Sequence, residues 1–218
     1  MRVRKKKHGA ERIAACSELR IEDISVLRDG FDGVFETVKP IHMEIGCGKG
    51  NFAVGMAAKH QDVNFVAVEK VSDVCCIALE KAKARSEERP SDNLRFIIGD
   101  AKDLAENVKA HSLDCIYLNF SDPWPKSGHA KRRLTHRNFL EIYRGLLCED
   151  GILKLKTDNV GLFDFTLEEM AALDMDIIWQ TRDLHSEPES ADNVMTEYEK
   201  NFSERGVCIC SVWARFKK

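Results

Sequence analysis

No part of this 218-residue chain escapes charge for long. The longest runs free of Asp, Glu, Lys and Arg, 50–58 and 206–214, are nine residues each. A spanning helix needs about 20 apolar residues, so a membrane segment is excluded. The basic start, Met1-Arg-Val-Arg-Lys-Lys-Lys-His8, meets Glu11 and Arg12 where a secretory leader would place its apolar run. A cytoplasmic location without membrane association is expected. The chain also lacks an excess of either charge sign, with 33 basic and 36 acidic side chains and a net charge of −3. Bulk attraction to a polyanion is excluded, and nucleic-acid binding would have to come from local clustering. Eight cysteines are present without one Cys-x-x-Cys pair. Cys47, Cys75, Cys76, Cys115, Cys208 and Cys210 lie in or beside apolar segments. Buried reduced thiols are therefore expected, with no disulfide framework and no metal site.

With 44% apolar and 32% charged residues, the chain is long enough to bury a core without covalent staples. No internal repeat or low-complexity tract interrupts it. The expected organisation is a basic N-terminal arm over 1–30, with a short helix around 10–19, and one domain over 31–218. Compact apolar runs predict strands at 41–45, 64–69, 94–98, 114–120 and 151–157, with 176–181 and 207–216 completing a seven-membered sheet. Helical spacing predicts helices at 51–60, 71–86, 101–108, 134–147 and 162–173. Strands alternating with helices make this an α/β chain with a doubly wound sheet. The polar, proline-containing segment 185–193 reads as a mobile loop.

The chemistry collects where the strands end. The first runs into Glu44-Ile-Gly46-Cys-Gly48-Lys-Gly50, where glycines let the backbone bend tightly and a ligand approach the main chain. This spacing is Gly-x-Gly-x-Gly, not the Gly-x-Gly-x-x-Gly of dinucleotide sites. A carboxylate before the turn suits a cationic amino-acid moiety better than a pyrophosphate. Glu69, about 20 residues on, can accept from both hydroxyls of a ribose. Asp100 can accept from an exocyclic amino group, and the N–H of Ala101 can serve a ring nitrogen. Each acid alone reads more readily as a solvated strand end or helix cap. Together, Glu44, Glu69 and Asp100 beside a glycine turn describe a nucleoside site that fits S-adenosyl-L-methionine.

The fourth strand ends in Asn119-Phe-Ser-Asp122-Pro-Trp124-Pro125-Lys126. Its prolines fix the chain and present Asp122 and Trp124 rigidly. The next twelve residues, 126–137, carry five Lys or Arg, Lys131, Arg132 and Arg133 among them, and no acid. Such a run is ordinarily a solvated face, but beside a reaction centre it reads as a phosphate contact. Asp158 follows the fifth strand, and Thr196-Glu197-Tyr198-Glu199 also spells a helix-capping box.

EIGCGKGNF, NFSDPWPK, KRRLTHRNFL, KTDN and TEYEKNFSERG, in this order, resemble the bacterial tRNA (guanine-N7)-methyltransferase family. The resemblance runs from about Pro40 to near the end of the chain. It implies a Rossmann-like class I fold with a seven-stranded, mostly parallel sheet and helices on both faces. It also implies S-adenosyl-L-methionine as donor and the variable-loop guanine of tRNA, guanosine 46, as substrate. By motif matching, Glu44, Glu69, Asp100 and Asp122 fall on cofactor-binding acids, with Gly46, Gly48 and Ala101 beside them, and Asp122 is also the catalytic candidate. Lys126, Asp158, Thr196, Glu197, Tyr198 and Glu199 fall on substrate-binding positions. Lys131, Arg132 and Arg133 fall on the RNA-contacting segment. A monomer or homodimer acting on tRNA is the expected assembly.

Guanine N7 carries a lone pair and no proton, so its methylation has no obligatory general base. Asp122 suits the positive charge that develops on the purine. Either Asp158 or Glu199 could accept from the Watson–Crick edge, Lys126 could donate to O6 or hold a phosphate, and Trp124 could stack on a splayed base. Two other enzymatic readings fit part of the same sequence. One is an amino-directed nucleic-acid methyltransferase using the Asp-Pro-Trp-Pro segment. The other is a nicotinamide-dependent oxidoreductase using the glycine turn.

Overall fold

Near-continuous apolar runs make the first four strands, because a parallel strand covered on both faces has no solvent side to leave polar. These are β1 (Ile41–Ile45), β2 (Asn64–Glu69), β3 (Leu94–Ile98) and β4 (Leu113–Asn119). They are joined by β5 (Leu147–Thr157), β6 (Met175–Thr181) and β7 (Cys210–Phe216). The computed structural model describes residues 7–88 and 92–217, so most of the basic run at 2–7 lies outside the described residues. The strands form a seven-stranded sheet in the order β3-β2-β1-β4-β5-β7-β6. The β1–β2, β2–β3 and β4–β5 pairs are parallel, while β7 runs antiparallel to both β5 and β6. The chain divides into two compact units, Met1–Lys109 and Ala110–Lys218.

In the first unit, α1 (Gly9–Ala14), α2 (Asn51–Lys59), α3 (Ser72–Glu88) and the single turn α4 (Leu104–Asn107) accompany β1–β3. The helix expected over 10–19 is broken, ending at Ala14 and resuming as a 3-10 turn at Ser17–Leu19. Its docking explains the break. Arg12 forks onto Glu80 of α3 with two 2.6 Å bonds, Lys83 pairs with Glu18 at 3.2 Å, and Ile21 N–H donates to Phe96 O at 2.9 Å. The described part of the expected arm is thus packed against α3 and β3. The helix expected over 101–108 divides into a 3-10 turn, Ala101–Asp103, and α4, because Asp100 caps the turn through Lys102 N–H.

The second unit adds α5 (Arg137–Leu146), α6 (Val160–Ala172) and α7 (Glu197–Ser203). α5 begins three residues later than the expected 134, where His136 caps it by accepting from Asn138 N–H. It buries Phe139, Leu140, Tyr143 and Leu146, one stripe of the helix. Glu169 of α6 clamps its start, accepting from the Arg137 backbone at 2.6 Å and from its guanidinium at 2.8 and 3.0 Å. β5 begins at Leu147 instead of the expected 151, with a register shift opposite Leu113 and Cys115. Gly151 permits this, since a Cβ there would lie 3.0 Å from Leu113 O and from Cys148 O. The last strand begins at Cys210, not 207, so Cys208 is exposed where a buried thiol was expected. Segment 185–193 holds two 3-10 turns, Leu184–Ser186 and Pro188–Asp192, and buried Leu184 is fixed by donating to Ile209 O.

Candidate active site

The first unit gathers three acids at the carboxyl ends of β1, β2 and β3, whose registers pair Ile45 with Val68 and Glu69 with Ile98. Glu44 is buried at 4% exposure. The turn after it is built from left-handed glycines: Gly46, Gly48 and Gly50 have φ of 82°, 56° and 76°. Two of these have different jobs. A Cβ on Gly50 would lie 2.7 Å from Ala78 Cβ, so this glycine lets the turn press against α3. A Cβ on Gly48 would meet nothing within 4 Å, which leaves main chain open to a ligand.

Glu69 ties the turn to its own strand end. Its carboxylate accepts from Gly48 N–H at 3.0 Å and from Val71 N–H at 2.8 Å. Each oxygen keeps a further lone pair for a hydroxyl donor. Asp100 accepts from Lys102 N–H at 3.1 Å and from Lys70 Nζ at 2.6 Å. Burial works to raise its pKa, but the Lys70 and Lys102 hydrogen bonds prevail and hold the carboxyl below its ordinary value. It therefore serves both as a cap and as an ionised acceptor. Ala101, beside it, is buried.

The second unit presents Asp122 on an unusual loop. Phe120 and Trp124, flanking it by two residues on each side, have φ of 51° and 40°. Bulky side chains rarely adopt this region, which costs about 1–3 kcal/mol per residue and collects at functional sites. Phe120 N–H donates to Lys156 O at 2.8 Å, so β5 holds the loop's first residue. Asp122 is exposed, as is Lys126. The prolines bracket Trp124, whose carbonyl accepts from Arg133 Nη2 at 3.1 Å.

The basic run does not act as one surface. Arg132 lies over the Trp124 ring at 5.0 Å, and His129 meets the same ring edge-on at 5.8 Å. Arg133 is partly buried, 4.2 Å over Phe165, and is occupied in supporting Trp124. Lys131 and Arg132 remain exposed. The structure thus leaves Lys126, Lys131 and Arg132 to solvent and gives Arg133 an internal task.

The Thr196–Glu199 segment forms the capping box legible in the sequence. Glu199 N–H donates to Thr196 Oγ1 at 2.9 Å, and Thr196 N–H donates to Glu199 Oε2 at 3.3 Å. Glu197 and Tyr198 face outward, Tyr198 at 57% exposure. Tyr198 stacks between Phe120 and Phe202, with ring centroids 6.5 and 6.1 Å apart. Glu199 has no exposed surface. Its carboxylate also takes Lys156 Nζ at 2.7 Å, His185 Nε2 at 3.0 Å and the Asn193 amide. Burial works to raise its pKa, but attraction to Lys156 and these hydrogen bonds outweigh it and hold the carboxyl below its ordinary value. In this arrangement Glu199 presents nothing to a ligand, whereas Asp158, just past β5, is half-exposed.

Sequence reasoning gave no role to Lys156, His185, Asn193 or Phe120. Lys156 continues the Leu153-Lys154-Leu155 alternation, so nothing in the sequence marks it as buried and therefore in need of a partner. Among the described residues no group of three or more His, Cys, Asp and Glu could hold a metal ion. No helix among them is long and apolar enough to cross a membrane.

Comparison with known proteins bears on the whole chain. The family described as "Putative methyltransferase" matches residues 38–212. A tRNA (guanine-N(7)-)-methyltransferase of Limosilactobacillus reuteri is 44% identical over the full length of both chains. One of Brevibacillus brevis is 49% identical, covering 83% of this chain and 82% of its own. Among solved structures, a 16S rRNA methyltransferase superposes with a TM-score of 0.63 at 11% identity, covering 87% of this chain and 94% of its own. At that identity the likeness speaks for the fold alone, the class I methyltransferase fold.

Proposed function

Because this chain belongs to the tRNA (guanine-N7-)-methyltransferase family, we propose a division of labour in which the first unit binds the methyl donor and the second binds tRNA. The enzyme transfers a methyl group to guanine N7 in tRNA, and we assign guanosine 46 of the variable loop as the acceptor. S-adenosyl-L-methionine supplies the methyl group on a sulfonium. The donor residues suit it: open main chain at Gly48, a ribose acceptor at Glu69, and buried Glu44 beside the turn. Asp100 and the Ala101 N–H suit the adenine edge.

The observation that carries the reading is the loop at Asp122, where two aromatic residues in left-handed backbone flank an exposed carboxylate. N7 needs no deprotonation, so Asp122 acts electrostatically, stabilising positive charge as it spreads into the purine. Asp158 accepts from the guanine N1–H and amino group, Lys126 serves O6 or a phosphate, and Lys131 and Arg132 meet the RNA backbone. Arg132 already covers one face of Trp124, so a splayed base would stack there only by displacing it.

Incubation with tRNA and methyl-labelled donor, followed by nucleoside mass spectrometry, tests the reading. The expected product is 7-methylguanosine, with base-sensitive chain cleavage at position 46. Methylation only on an exocyclic amino group would support the amino-directed alternative instead. Asp122→Asn keeps the size and removes the charge, so single-turnover methylation should fall on the order of a hundredfold with tRNA binding retained. Normal turnover by that variant would make the carboxylate structural.

A further inference from the structure

Four residues of the second unit close a ring. Lys156 holds Phe120 through its backbone, its carbonyl accepting Phe120 N–H at 2.8 Å. Its side chain, 9% exposed, holds Glu199 at 2.7 Å. Glu199 follows Tyr198, and Tyr198 stacks back onto Phe120. Phe120 itself lies two residues before Asp122. Two loop side chains brace this ring. A carboxylate can only accept, so His185 Nε2 carries a proton toward Glu199, leaving Nδ1 against Ser203 Oγ at 3.0 Å. Asn193 bridges the pair, accepting from Lys156 Nζ at 2.7 Å while its amide donates to Glu199. Lys156 Nζ also reaches Val194 O at 3.1 Å.

We propose that Lys156, His185 and Asn193 are positioning residues, which act through Glu199 to fix α7 and the Thr196–Glu199 segment against the Asp122 loop. Glu199 then serves tRNA methylation as an internal anchor, and Asp158 is the carboxylate left to read the base. The inference rests on the tRNA methyltransferase reading and adds to it residues that touch neither donor nor base.

Four donors converge on one carboxylate from β5, from the 3-10 turn at 184–186, from the segment before α7 and from the cap of α7 itself. A buried carboxylate filled in this way is exchanged for a ligand only by breaking several charged hydrogen bonds at once. Loosening the ring would free Tyr198 and its segment, and tRNA would have to reorder them on binding. That cost falls on substrate affinity more than on the transfer step.

The test compares Lys156→Met, Glu199→Gln and the double variant, each assayed for tRNA KM, single-turnover rate at saturating tRNA and donor affinity. Each single change should raise tRNA KM about tenfold, with the saturated rate within about threefold of wild type and donor affinity unchanged. The double variant, which strands neither charge, should be no worse than either single. If Glu199 instead contacts guanine, Glu199→Gln lowers the saturated rate and the double loses both effects multiplied together, which overturns the proposal. Wild-type kinetics in all three variants overturn it equally.

His185, 26% exposed, offers a gentler probe should Lys156→Met fail to fold. His185→Leu should raise tRNA KM and speed amide exchange in 197–203, and His185→Gln, which retains an N–H donor, should restore both. Unchanged exchange in His185→Leu would remove the ring from the account. Amide exchange reads the ring without activity, whereas absence of 7-methylguanosine from the wild-type reaction would sink the functional reading by itself.

Discussion

Two glycines two residues apart show how one residue type permits close packing at one position and leaves open space at another. Gly50 has φ of 76° and would place a Cβ 2.7 Å from Ala78 Cβ and 3.1 Å from its Cα, atoms that cannot move aside without shifting α3. Gly50→Ala should therefore destabilise the protein by about 2–4 kcal/mol, combining left-handed strain with overpacking. Urea unfolding measures it, and a midpoint close to wild type would show that the turn can retreat from α3. Gly48 has φ of 56° and open space on its Cβ side. Gly48→Ala should cost only about 1–2 kcal/mol of stability. Its larger effect, at least tenfold on donor affinity by calorimetry, follows if that space is where the donor approaches. Unchanged affinity would move the donor away from this turn.

Among the elements, the 3-10 turn Ser127–Arg132 and the residue after it separate two arginines that look equivalent in the sequence. Arg132 is exposed over Trp124, whereas Arg133 lies over Phe165 and donates to Trp124 O. Arg132→Ala should weaken tRNA binding and flatten its salt dependence by about one unit of slope. Arg133→Ala should leave the slope near wild type and lower the melting temperature, because its contacts are internal. Filter binding across a salt series beside thermal unfolding distinguishes the two, and equal slopes lost in both variants would contradict it. α7 carries a second consequence. Glu199 is ionised in the fold below its ordinary pKa, so its stabilising effect is complete above the unfolded value and fades as pH falls through the lower folded one. Lys156, His185 and the Thr196 cap face that carboxylate. Amide protection in 197–203, expressed against the intrinsic exchange rate at each pH, should stay high at neutral pH and fall only in acid, below the usual range for a glutamate. The strands, the glycine turn and the capping box were legible because each is a local pattern: apolar runs, glycine spacing, and Thr three residues before Glu. The start of β5 at Leu147 was hidden by Glu149 and Asp150, which sit in an irregular, exposed stretch of strand. Beyond its cap, the partners of Glu199 are Asn193, His185 and Lys156, which lie 6, 14 and 43 positions away, and no periodicity reports contacts of that kind.

Over the whole molecule, eight thiols sample both units and give a test that needs no substrate. All eight cysteines are free. Cys16, Cys47, Cys75 and Cys76 are buried in the first unit and Cys115 and Cys210 in the second, while Cys148 is half-buried and Cys208 exposed. Desolvation pushes the Cys75 thiol up to about 12 and Cys115 up to about 11, and carries Cys47 well above its ordinary value. The thiolate is the reactive form, so these groups are protected twice, by lack of access and by lack of charge. A thiol reagent at pH 8, with labelled sites mapped by mass spectrometry, should modify Cys208 first and Cys148 more slowly. The other six should react only as the fold opens. Cys47 lies inside the glycine turn, between Gly46 and Gly48, so its labelling reports that turn directly. A donor present at a hundred times its dissociation constant stabilises the native state by about 2.7 kcal/mol. S-adenosyl-L-methionine at that excess should therefore slow Cys47 labelling about a hundredfold while leaving Cys208 unchanged. Rapid labelling of Cys47 in the free protein would show that the turn opens on its own, and labelling indifferent to the donor would place the donor elsewhere.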